Sequence, residues 1–169
     1  EVSKILPGDM DKDVNIFFTD KHILFEFDQT TVVSRLIEGD YLKIDNILSA
    51  DYETKVKINK KEFQSCIDRS TLLVKEGEKK PLILNILDEV MELKMNSVVG
   101  SLNEEIDITK MGKDLMIGFD PKFLIDALKV IDDEEVEIKL LNSKSPCFIK
   151  DDEENYTYLI LPVTFNSSN

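Results

Sequence analysis

TKVKINKKEFQSCIDRS, residues 54–70, and DLMIGFDPKFLIDALKV, residues 114–130, read as one unit written twice. Each opens on a short β-prone run, Thr54–Ile58 or Leu115–Phe119. Each then sets a short oxygen-bearing side chain, Asn59 or Asp120, where the first-turn amides of a helix need an acceptor. Pro121 takes the favoured first helical position in the second copy. In the first, Phe63, Ile67 and Ser70, with Cys66 beside them and Val74 further on, follow the i, i+4, i+7 spacing of an amphipathic helix over residues 60–74. Phe123, Leu124, Ala127, Leu128 and Ile131 make the corresponding apolar face of the second helix.

Three strand candidates follow each helix. They are Leu82–Leu87, Val90–Met95 and Val98–Ile108 in the first copy, linked by Asp88-Glu89 and Asn96-Ser97, and Val136–Leu141, Pro146–Lys150 and Tyr156–Val163 in the second. The unit is strand, helix and three meandering strands, with a period of about 60 residues. Upstream, Glu1–Leu6 reads as the end of a helix stopped by Pro7 and Gly8. Three strands follow, Val14–Thr19, Ile23–Asp28 and Thr31–Glu38, the first two joined through Asp20, Lys21 and His22. The chain is thus about two and a half copies. Tyr41–Leu48 is a linker, and Ser49–Asp51 is the best boundary. The expected fold class is α+β, with one helix covering each four-stranded sheet face. Units paired through their strand edges would curve into an arc or ring, antiparallel sheets outside and helices inside. A helix end without a beginning also leads us to expect that the chain is a fragment of something longer.

The C-terminal run YTYLILPVTFN, residues 156–166, is apolar enough to need cover on both faces, and Pro162 removes a backbone donor near its end. It is expected both to pack into a sheet and to serve as a docking surface.

With 169 residues, 42% hydrophobic and 33% charged, the sequence suits a globular protein with a substantial core. No run approaches the ~20 apolar residues of a membrane span, so the expected compartment is the cytoplasm. Cys66 and Cys147 stand apart from any metal-binding or disulfide spacing. A net charge of −13 argues against a simple nucleic-acid-coating protein. The helix regions are the exception: residues 59–75 carry a local +2 and residues 121–131 a local +1. His22 is the single histidine, and no nucleophile–base pair, glycine-rich phosphate loop or His/Cys cluster marks an enzyme, a cofactor or a metal. The acidic runs 132–135 and 151–154 read as solvated turns. On residue patterns alone, an antiparallel-sheet interaction module that does not act on DNA stands as the alternative.

Five stretches in order, VSRLIEGDY (33–41), SLNEEIDI (101–108), IGFDPKFLIDALK (117–129), SPCFI (145–149) and YLILPV (158–163), resemble the bacterial sliding clamp family, the β subunit of DNA polymerase III. The resemblance covers essentially the whole chain. It implies that residues 1–50 are the second half of the middle clamp domain and residues 51–169 a complete third domain. It implies a non-catalytic processivity factor without cofactor, a homodimer at full length that encircles duplex DNA and binds the polymerase α subunit, the clamp loader and other proteins bearing a clamp-binding motif. Lys60, Lys61, Arg69, Lys122 and Lys129 become candidates for the DNA-facing surface, and Leu72 and Leu73 for the dimer interface. Two adjacent leucines cannot share one helix stripe, which separately marks one of them as exposed.

The family's peptide groove carries over onto Leu42, Asn46, Ile47, Phe123, Pro146, Leu159, Ile160, Leu161, Pro162, Val163 and Thr164. Leu42 stands where proline is usual and Asn46 where arginine is common. The other wall of that groove is expected upstream of Glu1, so this piece alone would hold half a groove and close no ring.

Overall fold

The computed structural model describes residues 2–6, 13–40, 51–75, 77, 78, 80–151 and 156–165. The chain divides into two compact units, residues 1–48 and 49–169. The first holds α1 (Val2–Ile5) and an antiparallel meander of β1 (Asn15–Phe18), β2 (His22–Phe27) and β3 (Thr30–Arg35). Thr19 shapes the first hairpin by accepting the His22 amide on Oγ1 at 3.0 Å. Asp28, at φ 49°, turns the second. The expected linker at residues 41–48 lies outside the described residues.

The second unit contains, in order, β4 (Thr54–Asn59), α2 (Lys60–Thr71), β5 (Leu82–Ile86), β6 (Val90–Asn96), β7 (Ser101–Gly112), β8 (Leu115–Phe119), α3 (Pro121–Lys129), β9 (Glu135–Leu140), β10 (Cys147–Lys150) and β11 (Thr157–Ile160). Strand, helix and three strands occur twice. The strands form one eight-stranded antiparallel sheet in the order β11-β10-β9-β4-β7-β6-β5-β8. The two copies interlock: β4 pairs with β9 of the second copy, and β8 pairs with β5 of the first. β7 serves both halves, pairing through Ser101–Asp107 with β6 and through Ile108–Gly112 with β4.

Alternation along the strands separates two faces. Val56, Ile58, Leu82, Leu84, Ile86, Met91, Leu93, Met95, Val136, Ile138 and Leu140 form the core with the buried sides of α2 and α3. The opposite face carries cross-strand ion pairs, Lys55 to Glu137 at 2.5 Å and Lys57 to Glu135 at 2.8 Å. The helices lie against each other and run antiparallel. Lys60, at the start of α2, bonds the carbonyl of Ile131 just past α3, while Thr71 and Val74, at and past the other end of α2, border a cavity with Pro121 and Lys122.

Both N-caps form as the sequence indicates. Asn59 Oδ1 accepts the Glu62 amide at 3.1 Å and Asp120 Oδ1 the Lys122 amide at 3.0 Å. When the caps are aligned, the fourth, seventh, eighth and eleventh residues after each are buried: Phe63, Cys66, Ile67 and Ser70 in one copy, Leu124, Ala127, Leu128 and Ile131 in the other. This corrects the apolar face assigned to α3. Phe123, third after its cap, is 57% exposed, and Leu124 takes the place that Phe63 holds in α2.

Three boundaries also differ from expectation. α2 ends at Thr71 rather than running to Val74, because Ser70 and Thr71 turn their hydroxyls back onto the carbonyls of Ile67 and Asp68 at 2.6 and 2.7 Å, and the amides of Leu73 and Val74 then take three-residue bonds. β7 starts at Ser101 because Val98 and Val99 form the hairpin tip, where Ser97 Oγ accepts the Val99 amide at 3.0 Å. β11 ends at Ile160, and its exposure alternates, so the tail has one wet face instead of cover on both.

Candidate functional site

β11 ends beside β10, with Ile160 opposite Cys147 and Leu159 opposite Phe148. Ile160 points into the core at 4% exposure, whereas Leu159, Leu161 and Val163 are exposed by 39, 64 and 37%. Residues at i, i+2 and i+4 of an extended chain share a face, so these three form an apolar stripe in water. Beyond Pro162, the Val163 amide donates to the Gly118 carbonyl of β8 at 2.8 Å, which fixes the tail against the far edge of the sheet. Pro146 is half-buried immediately before β10, Thr164 is exposed, and exposed Phe123 rises from α3, which packs against β11. The second unit therefore presents several of the anticipated groove residues as exposed apolar surface. Ile160 is a core residue beneath them. Leu42, Asn46 and Ile47 lie outside the described residues.

The helix cations divide into two kinds. Lys61, Lys122 and Lys129 are exposed, on helices that also carry exposed Asp68 and Asp126. Lys60 is held by the Ile131 carbonyl, and Arg69 is folded back onto Glu104 of β7, its Nε 2.7 Å from Glu104 Oε1. Cys66 completes this group, its thiol donating to Glu104 Oε2 at 2.7 Å and accepting from Arg69 Nη2 at 3.0 Å. The Arg69 guanidinium holds the Glu104 carboxyl down to about 2, while burial and the Glu104 carboxylate push the Cys66 thiol up to about 12. Burial does the same to Cys147, up to about 12. Neither sulfur is a thiolate near neutrality.

The adjacent leucines part as their spacing demands: Leu72 is 78% exposed past the end of α2, and Leu73 packs against the core. Exposed Val98 and Val99 lie at the tip of the β6–β7 hairpin, near Leu73 through Gly100. Sequence reasoning missed these two valines by placing them in a strand. It also missed Gly118, although a glycine inside a strand pattern signals a close backbone approach. Among the described residues no group of three His, Cys, Asp or Glu could hold a metal ion, and no helix is long and apolar enough to cross a membrane.

A strand–helix–three-strand unit used twice, its antiparallel sheets curled under a pair of helices, defines the DNA-clamp class of fold. Solved structures share it. A chain from Eubacterium rectale described as a DNA polymerase III beta subunit is 66% identical with a TM-score of 0.83, over 98% of this chain and 45% of that one. The DNA polymerase sliding clamp from Bacillus subtilis is 32% identical with a TM-score of 0.79, over 98% and 44%. Residues 45–164 match the family described as DNA polymerase III beta subunit, C-terminal domain, and the chain belongs to that family. A protein named Beta sliding clamp from Staphylococcus epidermidis is 36% identical over 166 residues, 96% of this chain and 44% of that protein. The chain thus spans less than half the length of the relatives it matches.

Proposed function

We propose that the chain is part of a sliding clamp, a non-catalytic processivity factor of the cytoplasm that encircles duplex DNA as a homodimer and tethers the replicative polymerase, the clamp loader and other motif-bearing partners. The observation that carries this is the family match over residues 45–164. Residues 1–50 then belong to the middle domain and residues 51–169 to the third.

In this function the stripe Leu159, Leu161 and Val163, with Phe123 and Pro146, receives apolar anchors of a partner peptide. Exposed Leu72, with Val98 and Val99, faces a second copy. The edge of β7 supports that role, since Ser101–Asp107 pair only with β6 among the described strands. Lys61, Lys122 and Lys129 face DNA phosphates. A small set of exposed cations beside carboxylates suits a surface that moves along DNA without gripping it, because each neutralised phosphate adds affinity and salt dependence.

Titration of a fluorescent peptide carrying a polymerase clamp-binding motif into the full-length protein tests the proposal. Saturable binding that is lost in Leu161→Asp, with helical circular dichroism unchanged, is the expected result. Undiminished binding to that variant would remove the tail from the site. Lys122→Glu together with Lys129→Glu is expected to weaken DNA association at low salt and to flatten its salt dependence, by about one unit of slope for each phosphate no longer neutralised.

A further inference from the structure

The tail repeats in two pieces what β7 does in one. The first half of β7 pairs with β6 and its second half with β4. In the second copy, Thr157–Ile160 pair with β10, Pro162 falls at the changeover, and Val163 then bonds to β8. Aligned on the helix caps, Gly118 corresponds to Lys57, a position in β4 that carries a full side chain. At Gly118 there is no room for one. A Cβ there would stand 2.7 Å from Cδ1 and 3.2 Å from Cε1 of Phe165, and 3.1 Å from the Val163 carbonyl oxygen. The Phe165 ring lies directly on the bare backbone of Gly118.

We propose that Gly118 and Phe165 form the fastening that holds the tail in its binding-competent position. They act as positioning residues: the ring and the Val163–Gly118 hydrogen bond set where Leu161 and Val163 stand. This rests on the partner-binding role given to the tail above. Proline removes a further main-chain bond at the changeover, so the segment is held by few interactions and opens at low cost when one of them is removed. An opened tail lowers the apparent affinity for a partner in proportion to the fraction of molecules still closed. A methyl group at Gly118 would push the Phe165 ring aside and press on the Val163 carbonyl, so it displaces the tail at both points of its fastening.

The test uses the full-length protein with two readouts, affinity for the fluorescent motif peptide and hydrogen exchange of the Val163 amide. Gly118→Ala and Phe165→Ala are each expected to speed that exchange and to weaken the peptide roughly tenfold, the equivalent of losing a hydrogen bond and its packing. Phe165→Leu should recover most of both. Should Gly118→Ala fail to fold, Phe165→Ala and Phe165→Leu decide alone. Wild-type affinity and slow exchange in Phe165→Ala, with binding still lost in Leu161→Asp, would overturn the fastening and leave the apolar stripe in place. Absence of binding by the wild-type protein would instead overturn the partner-binding role, and the positioning role with it.

Discussion

Cys66 keeps its proton at neutral pH, held by burial and by the Glu104 carboxylate. Its proton is shared toward Glu104, whose charge is in turn held by Arg69. Thiol-specific reagents at pH 8 are expected to leave Cys66 and Cys147 unmodified until denaturant is added, which a colorimetric thiol assay reads directly. The same trio gives stability a pH signature. Glu104 is held down to about 2 in the folded protein, so its contribution is fully present above the ordinary carboxylate range and is lost as pH falls through that range toward 2. Cys66 works at the other end: its thiol keeps its proton to about 12 when folded but releases it near 9 when unfolded, so stability declines as pH rises past 9. Urea midpoints for wild type and Glu104→Gln should differ at pH 7 and converge near pH 2. None of this trio was legible in the sequence, where Arg69 stood among the DNA-facing candidates and Glu104 stood in a strand with nothing to join them. Ion pairs across sheet and helix depend on register, which composition does not carry.

At the scale of elements, most of the fold was legible. Caps are local chemistry, and Asn59 and Asp120 hold their helices as their side chains dictate. Asn59→Ala or Asp120→Ala is expected to cost about 1 kcal/mol, measured by chemical denaturation. Phe63→Ala, in the core at 0% exposure, is expected to cost about 3–5 kcal/mol. Phe123→Ala should cost little stability, because its ring lies in water. The misreading of Phe123 has a simple source: matching aromatic to aromatic slips the two copies by one residue, whereas matching cap to cap does not. The ends of α2 and β11 escaped for a different reason. Hydroxyls that bond back to their own helix, and a proline at a change of partner, end elements in ways that hydrophobic periodicity does not record.

At the scale of the whole molecule, the two units differ in how well each covers its own apolar residues. Unit 49–169 has a continuous core, while in the meander of residues 1–48 Ile16, Phe17, Phe18 and Val33 stay largely exposed. Residues 49–169 produced alone are therefore expected to unfold in a single cooperative transition by calorimetry. Residues 1–48 alone should show no such transition, for want of buried apolar area. The repeat that organises the larger unit was visible in the sequence from one pair of segments. The exchange of β4 and β8 between copies was not, because strand order follows from packing.

That exchange sets α2 and α3 side by side in opposite directions. Each helix carries about half a positive charge at its amino end and half a negative charge at its carboxyl end. Antiparallel neighbours place these ends head to tail, and their fields cancel a short distance away. Lys60, whose ammonium bonds the Ile131 carbonyl just past α3, adds a positive charge beside the carboxyl end of that helix. The helix dipoles therefore add little net field along the pair, and the charge that the helical face presents is that of its exposed side chains, Lys61, Lys122 and Lys129 against Asp68 and Asp126.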